Sequence, residues 1–394
     1  MRIGFDAKRA FHNSTGLGHY SRTLIRSLAT TFREHEYYLL NTKPSGLFNF
    51  EDVQNAHEIL PENTLHRVFP SAWRSKWVTD DLKQLNIHLY HGLSHEIPVG
   101  IREKKIPSVV TMHDLIHERY PGQYKKIDVN IYRKKFRYAC KHADLVIAIS
   151  QQTKKDLIEY YHVQEDKIRV CYQSCNPAFS RQVDAGEKEI IKKKYNLPDK
   201  FFLYVGSVIE RKNLLNICKA IFLLRNELQV PLVVIGEGKG YMQVVKDYVK
   251  QQGMGDLIIF LSENPSTKSL ESFKTAADFP GIYQQALAMI YPSFFEGFGI
   301  PVLEALFSRL PVITSNVSCL PEAGGDAALY VNPNDANEIG ESMKRIYEDE
   351  ILVSEMKEKG WQYAQNFTPE KCAASVMNVY NELVKEYVHD RYGN

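Results

Sequence analysis

The chain has 394 residues, 44% of them hydrophobic and 24% charged, with a net charge of +2. At roughly 150 residues per domain this length predicts two or three domains, and the near-neutral balance excludes nucleic-acid binding through bulk charge. The N-terminal MRIGFDAKRA lacks the apolar core of a secretory signal, and no stretch reaches the roughly 18 apolar residues of a membrane span, so a cytoplasmic chain is expected.

In chain order, residues 2–6 predict a strand. A helical pattern starts near His19, with Tyr20, Leu24, Ile25, Leu28 and Phe32 on one side. A polar loop carrying Gly16, Leu17 and Gly18 is expected between them. Further strands are predicted at 36–40, 88–91, 108–113 and 144–149, with helices at 130–142 and 151–161. After a charged stretch, 181–194, apolar runs recur at 201–205, 231–235, 257–261, 288–291 and 311–314, with a helix at 214–227. Short apolar runs suit strands buried on both faces. The pattern predicts an α/β protein of two doubly wound parallel-sheet halves, 1–180 and 181–372, joined across 176–194. A tail helix over 372–388 fills most of a last segment, 373–394, whose end is expected to fray. Six cysteines, with Cys171 and Cys175 the only close pair, read as buried thiols rather than a disulfide scaffold or zinc site.

The segment EGFGIPVLEA, beginning at Glu296, carries the strongest chemical signal. Gly297 and Gly299 permit close backbone approach or positive φ, and Pro301 suits the first residue of a helix. Glu304 is expected in that helix's first turn. Free N–H groups at a helix start attract phosphate, but the dipole alone contributes only about 0.3–2 kcal/mol, so cations should assist. Carboxylates there must face sugar or ribose hydroxyls instead.

Such cations stand in YVGSVIERKNL, where a strand ends at Val205, Gly206 turns the chain, and Arg211 and Lys212 follow. Two cations at the carboxyl end of a parallel strand make a pyrophosphate clamp, the end where open α/β sheets bind ligands; a solvated basic pair is the plain alternative. Gly16-Leu17-Gly18 lacks the full dinucleotide fingerprint. His113 closes a strand and could bond a sugar hydroxyl or shuttle a proton, with His91, His95 and His117 competing for that role. The stretch Trp73-Arg74-Ser75-Lys76-Trp77 reads either as a packed helix with snorkelling cations or as a membrane contact. Lys134, Lys135 and Arg137 read as a solvated helix face.

Taken together, these segments resemble glycosyltransferase family 4, with the GT-B fold of two Rossmann-like domains facing a cleft. The resemblance runs from TGLGHYSRTL through VVTMHDL, VIAIS and YVGSVIERKNL to YPSFFEGFGIPVLEA and LPEAGGDAALYVNP. It implies that Arg211 and Lys212 neutralise a donor diphosphate and that Glu304 holds the ribose. It places Glu296, with the backbone of Phe298, Gly299 and Ile300, at the donor sugar. Gly16 and Gly18 would approach the phosphates, His113 would lie beside the transferred sugar, and the tail helix would return to the first half. Ser207 stands where many members carry Arg, and 262–281 is longer than the usual connection.

The resemblance implies a retaining, metal-independent transferase without a cofactor, resembling mannosyltransferases of surface polysaccharide assembly. GDP-mannose is the favoured donor, with UDP-glucose open, and a glycan or lipid-linked molecule at the inner membrane face is the expected acceptor. Front-face attack is preferred over a double displacement through Glu296. A GT-B epimerase or phosphorylase, and a non-catalytic sugar-nucleotide-binding subunit, are the alternatives.

Overall fold

The computed structural model describes residues 1–392, with side chains through Tyr387. The chain divides into two compact units. The first comprises Met1–Cys175 and the chain from Phe367 onward, and the second is Asn176–Asn366. The first changeover thus falls before the expected 180/181 boundary. Pro177–Ser180 forms a 3-10 turn whose Phe179 ring meets Tyr283 edge-on at 4.9 Å and whose Phe179 carbonyl accepts a bond from Ser308 Oγ at 3.3 Å, both partners in the second unit. The second changeover precedes 373, because Phe367 packs on Tyr172 of the first unit, with ring centroids 5.5 Å apart.

The first unit is built on β1 (Arg2–Asp6), β2 (Glu36–Leu40), β3 (Ala56–Ile59), β4 (Leu89–Gly92), β5 (Ser108–Met112), β6 (Leu145–Ala148) and β7 (Ile168–Val170). All pair in parallel in the order β3-β2-β1-β4-β5-β6-β7. Period-two alternation sends Ile3, Phe5, Val109 and Ile147 to one face, and Tyr90, Val110, Met112 and Val146 to the other. Each face is closed by helices, as a parallel sheet requires.

One cover is the C-terminal helix Pro369–Tyr392, whose Val376, Tyr380 and Leu383 join the core beside the helix Gly16–Thr31. It is pinned at its centre, where Tyr380 Oη lies 2.5 Å from His91 Nδ1. His91 Nε2 lies 2.7 Å from Thr111 Oγ1, which also meets Tyr20 Oη at 3.0 Å. Burial lowers His91 to about 3, so its ring is neutral at pH 7.

The second unit repeats the plan with β8 (Phe202–Val205), β9 (Leu232–Ile235), β10 (Ile258–Phe260), β11 (Met289–Tyr291), β12 (Val312–Ser315) and β13 (Ala328–Val331). The order is β10-β9-β8-β11-β12-β13, again all parallel. Counted from its own first strand, this is the 3-2-1-4-5-6 Rossmann order. The first unit shows the same order with one strand added. The strand order reverses between β1 and β4 in one unit, and between β8 and β11 in the other.

Three strands, β3, β7 and β13, were not expected from sequence. The first two lie at sheet edges and carry polar or charged residues (AHEI, IRV), and β13 is only partly covered over most of its length. The stretch 262–281, without an expected role, forms the short helices Pro265–Ser269 and Glu271–Lys274 and the start of Phe279–Tyr283. Its Asp278 anchors Lys194 and the Tyr195 hydroxyl, each at 2.7 Å. All six cysteines are buried thiols.

Tyr380→Phe leaves a buried ring nitrogen of His91 unpaired. Urea denaturation should show a stability loss of about 1–3 kcal/mol, whereas an unchanged midpoint would mean that the hydroxyl does not hold the helix.

Candidate active site

In the second unit, the site forms where β8 and β11 part. β8 ends at Val205 and is followed by Gly206, whose φ of +150° favours glycine. A Cβ there would stand 3.2 Å from Lys212 Nζ, so a bare backbone lets the lysine lie across the strand end. A Cβ on Gly236, at the end of β9, would come within 1.8 Å of the Gly206 carbonyl oxygen, so the two strand ends close up only around glycine. The 3-10 turn Glu210–Lys212 then presents both cations. Asn213, in the left-handed region at φ 63°, fixes the turn by donating to the carbonyls of Pro292 (3.0 Å) and Pro333 (2.7 Å).

Both cations point inward. Arg211 is 8% exposed; its Nη1 lies 3.0 Å from Glu296 Oε1 and bonds the Phe295 carbonyl. Lys212 Nζ donates to Tyr291 Oη at 2.5 Å and lies 3.5 Å from the same Glu296 oxygen. Tyr291 in turn donates to Glu296 Oε1 at 2.9 Å, and Ser293 Oγ lies 2.9 Å from it. Burial alone would raise the Glu296 carboxyl, but Lys212 and Arg211, with the Ser293 and Tyr291 bonds, hold it below the usual carboxylate range. Glu296 is therefore an anion, turned toward cations rather than toward an incoming phosphate.

Its backbone is fixed as well, with the carbonyl accepting from Ser318 Oγ at 2.9 Å and Cys319 Sγ at 3.0 Å. The chain then reaches Gly299 at φ 110°, where a Cβ would meet Leu320 Cδ2 at 2.9 Å. Gly299 caps the helix Ile300–Phe307 without a side-chain hydrogen bond, its carbonyl accepting from the N–H of Val302 and Leu303 at 3.0 and 3.3 Å, so the helix start beside Phe298 and Gly299 presents its positive dipole end with no side-chain cap. The helix starts one residue earlier than expected, with Pro301 second, because Gly299 supplies the turn. Glu304 consequently lies in the second turn, not the first. There Tyr283 Oη donates to Glu304 Oε2 at 2.8 Å, and burial pushes the carboxyl up to about 7 against the opposing Tyr283 bond and Lys212 charge. Ser207 is exposed.

The first unit has its own set of strand-end residues. Gly16 and Gly18 are not in a loop; they lie in the first turn of Gly16–Thr31. A Cβ on Gly18 would stand 1.8 Å from the Asn13 carbonyl oxygen, and Asn13 Oδ1 accepts from the N–H of Thr15 and Gly18 at 2.9 and 3.1 Å. The helix can begin early because glycine admits that close approach.

His113 is 5% exposed, donates from Nε2 to the Leu93 carbonyl at 2.9 Å and meets Tyr20 edge-on at 4.5 Å. Burial lowers it to about 4, so it is a neutral imidazole at pH 7. Among the competitors, His91 belongs to the core network described above, and His95 Nε2 accepts from the His113 N–H at 2.9 Å. His117 Nε2 meets Tyr161 Oη at 2.8 Å.

Trp73–Trp77 forms a π-helical turn. Trp73 is buried and bonds Asp81, while Arg74 spans Asp6 (2.9 and 3.0 Å) and Glu96 (3.0 Å). The packed reading of this segment is the one observed. Tyr291, Ser293, Tyr283 and Asn213 were missed from sequence, and only Tyr291, last in its strand before Pro292-Ser293, had a positional signal.

Two family comparisons cover most of the chain. Residues 14–179 match Glycosyltransferase Family 4, and residues 187–363 match Glycosyl transferases group 1. The O-antigen chain mannosyltransferase B of Escherichia coli is 27% identical, over 97% of this chain and all of that one. A serotype-specific mannosyltransferase WbdA of Escherichia coli is 25% identical over 94% of this chain, which spans about half (46%) of that longer protein. Among solved structures, sucrose-phosphate synthase of Thermosynechococcus elongatus superposes with a TM-score of 0.74 at 20% identity, covering 98% and 100% of the two chains. Anabaena HepE with UDP and glucose superposes with a TM-score of 0.71 at 13% identity, covering 96% and 99%.

Because Glu304 holds its proton more tightly folded than unfolded, its stability contribution is complete below its ordinary value of 4.5 and is lost as pH rises through about 7. Urea denaturation across that window should show wild type losing on the order of 3 kcal/mol relative to Glu304→Gln. Parallel profiles would contradict this.

Proposed function

We propose, from the premise that the chain belongs to glycosyltransferase family 4 and has the GT-B fold, that it transfers a hexose with retention from a nucleoside diphosphate sugar. The acceptor is a hydroxyl of a glycan or lipid-linked molecule. The observation that carries this is the inward pair Arg211 and Lys212, converging on one carboxylate oxygen three residues before Gly299, where a helix starts without a side-chain cap. A lone ion pair needs one cation. Two cations on one carboxylate leave a net positive charge at a strand end, which suits a diphosphate.

The diphosphate takes bonds from Lys212, Arg211 and the N–H groups near Phe298, Gly299 and Ile300. Glu296 accepts hydroxyls of the sugar, and Glu304 accepts those of the ribose. As the bond from the anomeric carbon to the diphosphate breaks, its electron pair goes to the diphosphate, where the cations stabilise it. The acceptor oxygen bonds the same face of that carbon and gives its proton to a diphosphate oxygen. His113, neutral, contributes a hydrogen bond to the sugar and no proton. These residues supply the charge stabilisation without a metal.

Mannose is the favoured sugar and GDP-mannose the favoured donor, since both curated relatives described above are named as mannosyltransferases. UDP-glucose is the second reading, favoured by the UDP and glucose held by HepE. Product NMR with GDP-mannose should show the donor's anomeric configuration kept, and Lys212→Ala should lower kcat by roughly 10²–10³-fold. An inverted product, or an unaltered rate, would overturn the reading.

A further inference from the structure

The strand order of the first unit reverses between β1 and β4, and open α/β sheets take ligands at the carboxyl ends of such strands. The short helix Lys8–His12 leads out of β1, and the turn carrying Ser94, His95 and Glu96 leads out of β4. Two carboxylates stand there, and both are matched. Asp6 accepts from Arg74 at 2.9 and 3.0 Å. Glu96 is shared between Arg74 at 3.0 Å and Lys135 at 2.9 Å.

Lys8 and Arg9 are surplus to that balance. Both are half-buried, and among the described residues no hydrogen bond or salt bridge engages either side chain. They belong to the same charged group. Burial and the Arg74 charge, with that of Arg9, hold Lys8 below the usual lysine range against Asp6 and Glu96. Arg9 in turn adds to the burial that lowers His95 and His113. Four cations therefore surround two carboxylates, and a cation drawn partly out of water without a counter-ion is costly.

The turn after β4 adds an orphan donor. Ser94 is 4% exposed, and its Oγ meets no hydrogen-bond partner. Buried hydroxyls are rarely left so. The turn is tight, since a Cβ on Gly92 would come within 2.0 Å of the Glu96 carbonyl oxygen, and this holds Ser94 beside His95 and Glu96.

We propose that this end of the first unit is a phosphate subsite for the acceptor, in which Lys8 and Arg9 neutralise the phosphate and Ser94 Oγ donates to one of its oxygens. A phosphate ester on an acceptor sugar and the diphosphate of a lipid carrier share this chemistry. Charge-assisted bonds from two cations suit either one, whereas a neutral saccharide would leave the surplus charge unmatched. The inference rests on the transferase reading in calling the ligand an acceptor, but its assay contains no nucleotide, so the two fail separately.

Calorimetric titration uses the full chain carrying Lys212→Ala, so that the second unit contributes little phosphate binding. The probes are mannose 6-phosphate, farnesyl diphosphate and mannose. At least one phosphate-bearing probe should bind and mannose should not; the tighter of the two identifies the sugar ester or the lipid carrier as the source. Adding Lys8→Gln/Arg9→Gln should weaken that binding roughly a hundredfold. Adding Ser94→Ala should weaken it about tenfold without lowering the thermal midpoint, because the hydroxyl removed holds nothing in the fold. Failure of both phosphate-bearing probes to bind would overturn the proposal. So would mannose binding as tightly as mannose 6-phosphate, or either added substitution leaving the affinity unchanged.

Discussion

The Glu296 carboxylate lies buried between Arg211 and Lys212, and much of the second unit is arranged to keep it there. A carboxylate out of water is costly unless it is paired and bonded. Here one oxygen receives two cations, a phenol and a neighbouring hydroxyl within 3.5 Å. The cations reach it only because Gly206 leaves room for Lys212 and Asn213 ties their turn to the loops after β11 and β13. The arrangement is also electrically incomplete. One anion between two cations leaves positive charge at the end of β8, beside the uncapped start of Ile300–Phe307.

The same strand order serves the two units in different ways. In the second, the reversal between β8 and β11 gathers charge. In the first, the carboxyl end of β1 delivers Asp6 to Arg74, while His91 at β4 is consumed in a core network that fastens the C-terminal helix. Burial strips both His91 and His113 of charge at neutral pH. In the first unit these two rings are therefore neutral hydrogen-bonding groups.

Much of this was legible in the chain itself. Runs such as FLYV and LVVI are dominated by large apolar side chains because their strands are covered on both faces, and they announce a parallel sheet. AHEI and IRV, at the edges, carry no such signature. Arg211, Lys212, Glu296 and Glu304 were recognisable as a set because residue type and local turn chemistry mark each one. Tyr283 was not, since its role arises from a contact with a residue 21 positions away, and Ser293 was not, although the glutamate it bonds is only three residues on. The extents of helix starts at Gly16 and Ile300 were misjudged for one reason: glycine at Gly18 and Gly299 allows a close approach that only coordinates reveal.

The claim that these two cations grip a diphosphate is tested most directly by calorimetric titration of GDP and of UDP into wild type and Lys212→Ala. The account predicts that binding of whichever nucleotide is accepted weakens by roughly 10–100-fold in the variant, the loss of a charge-assisted bond. Equal affinity of the two proteins would contradict it.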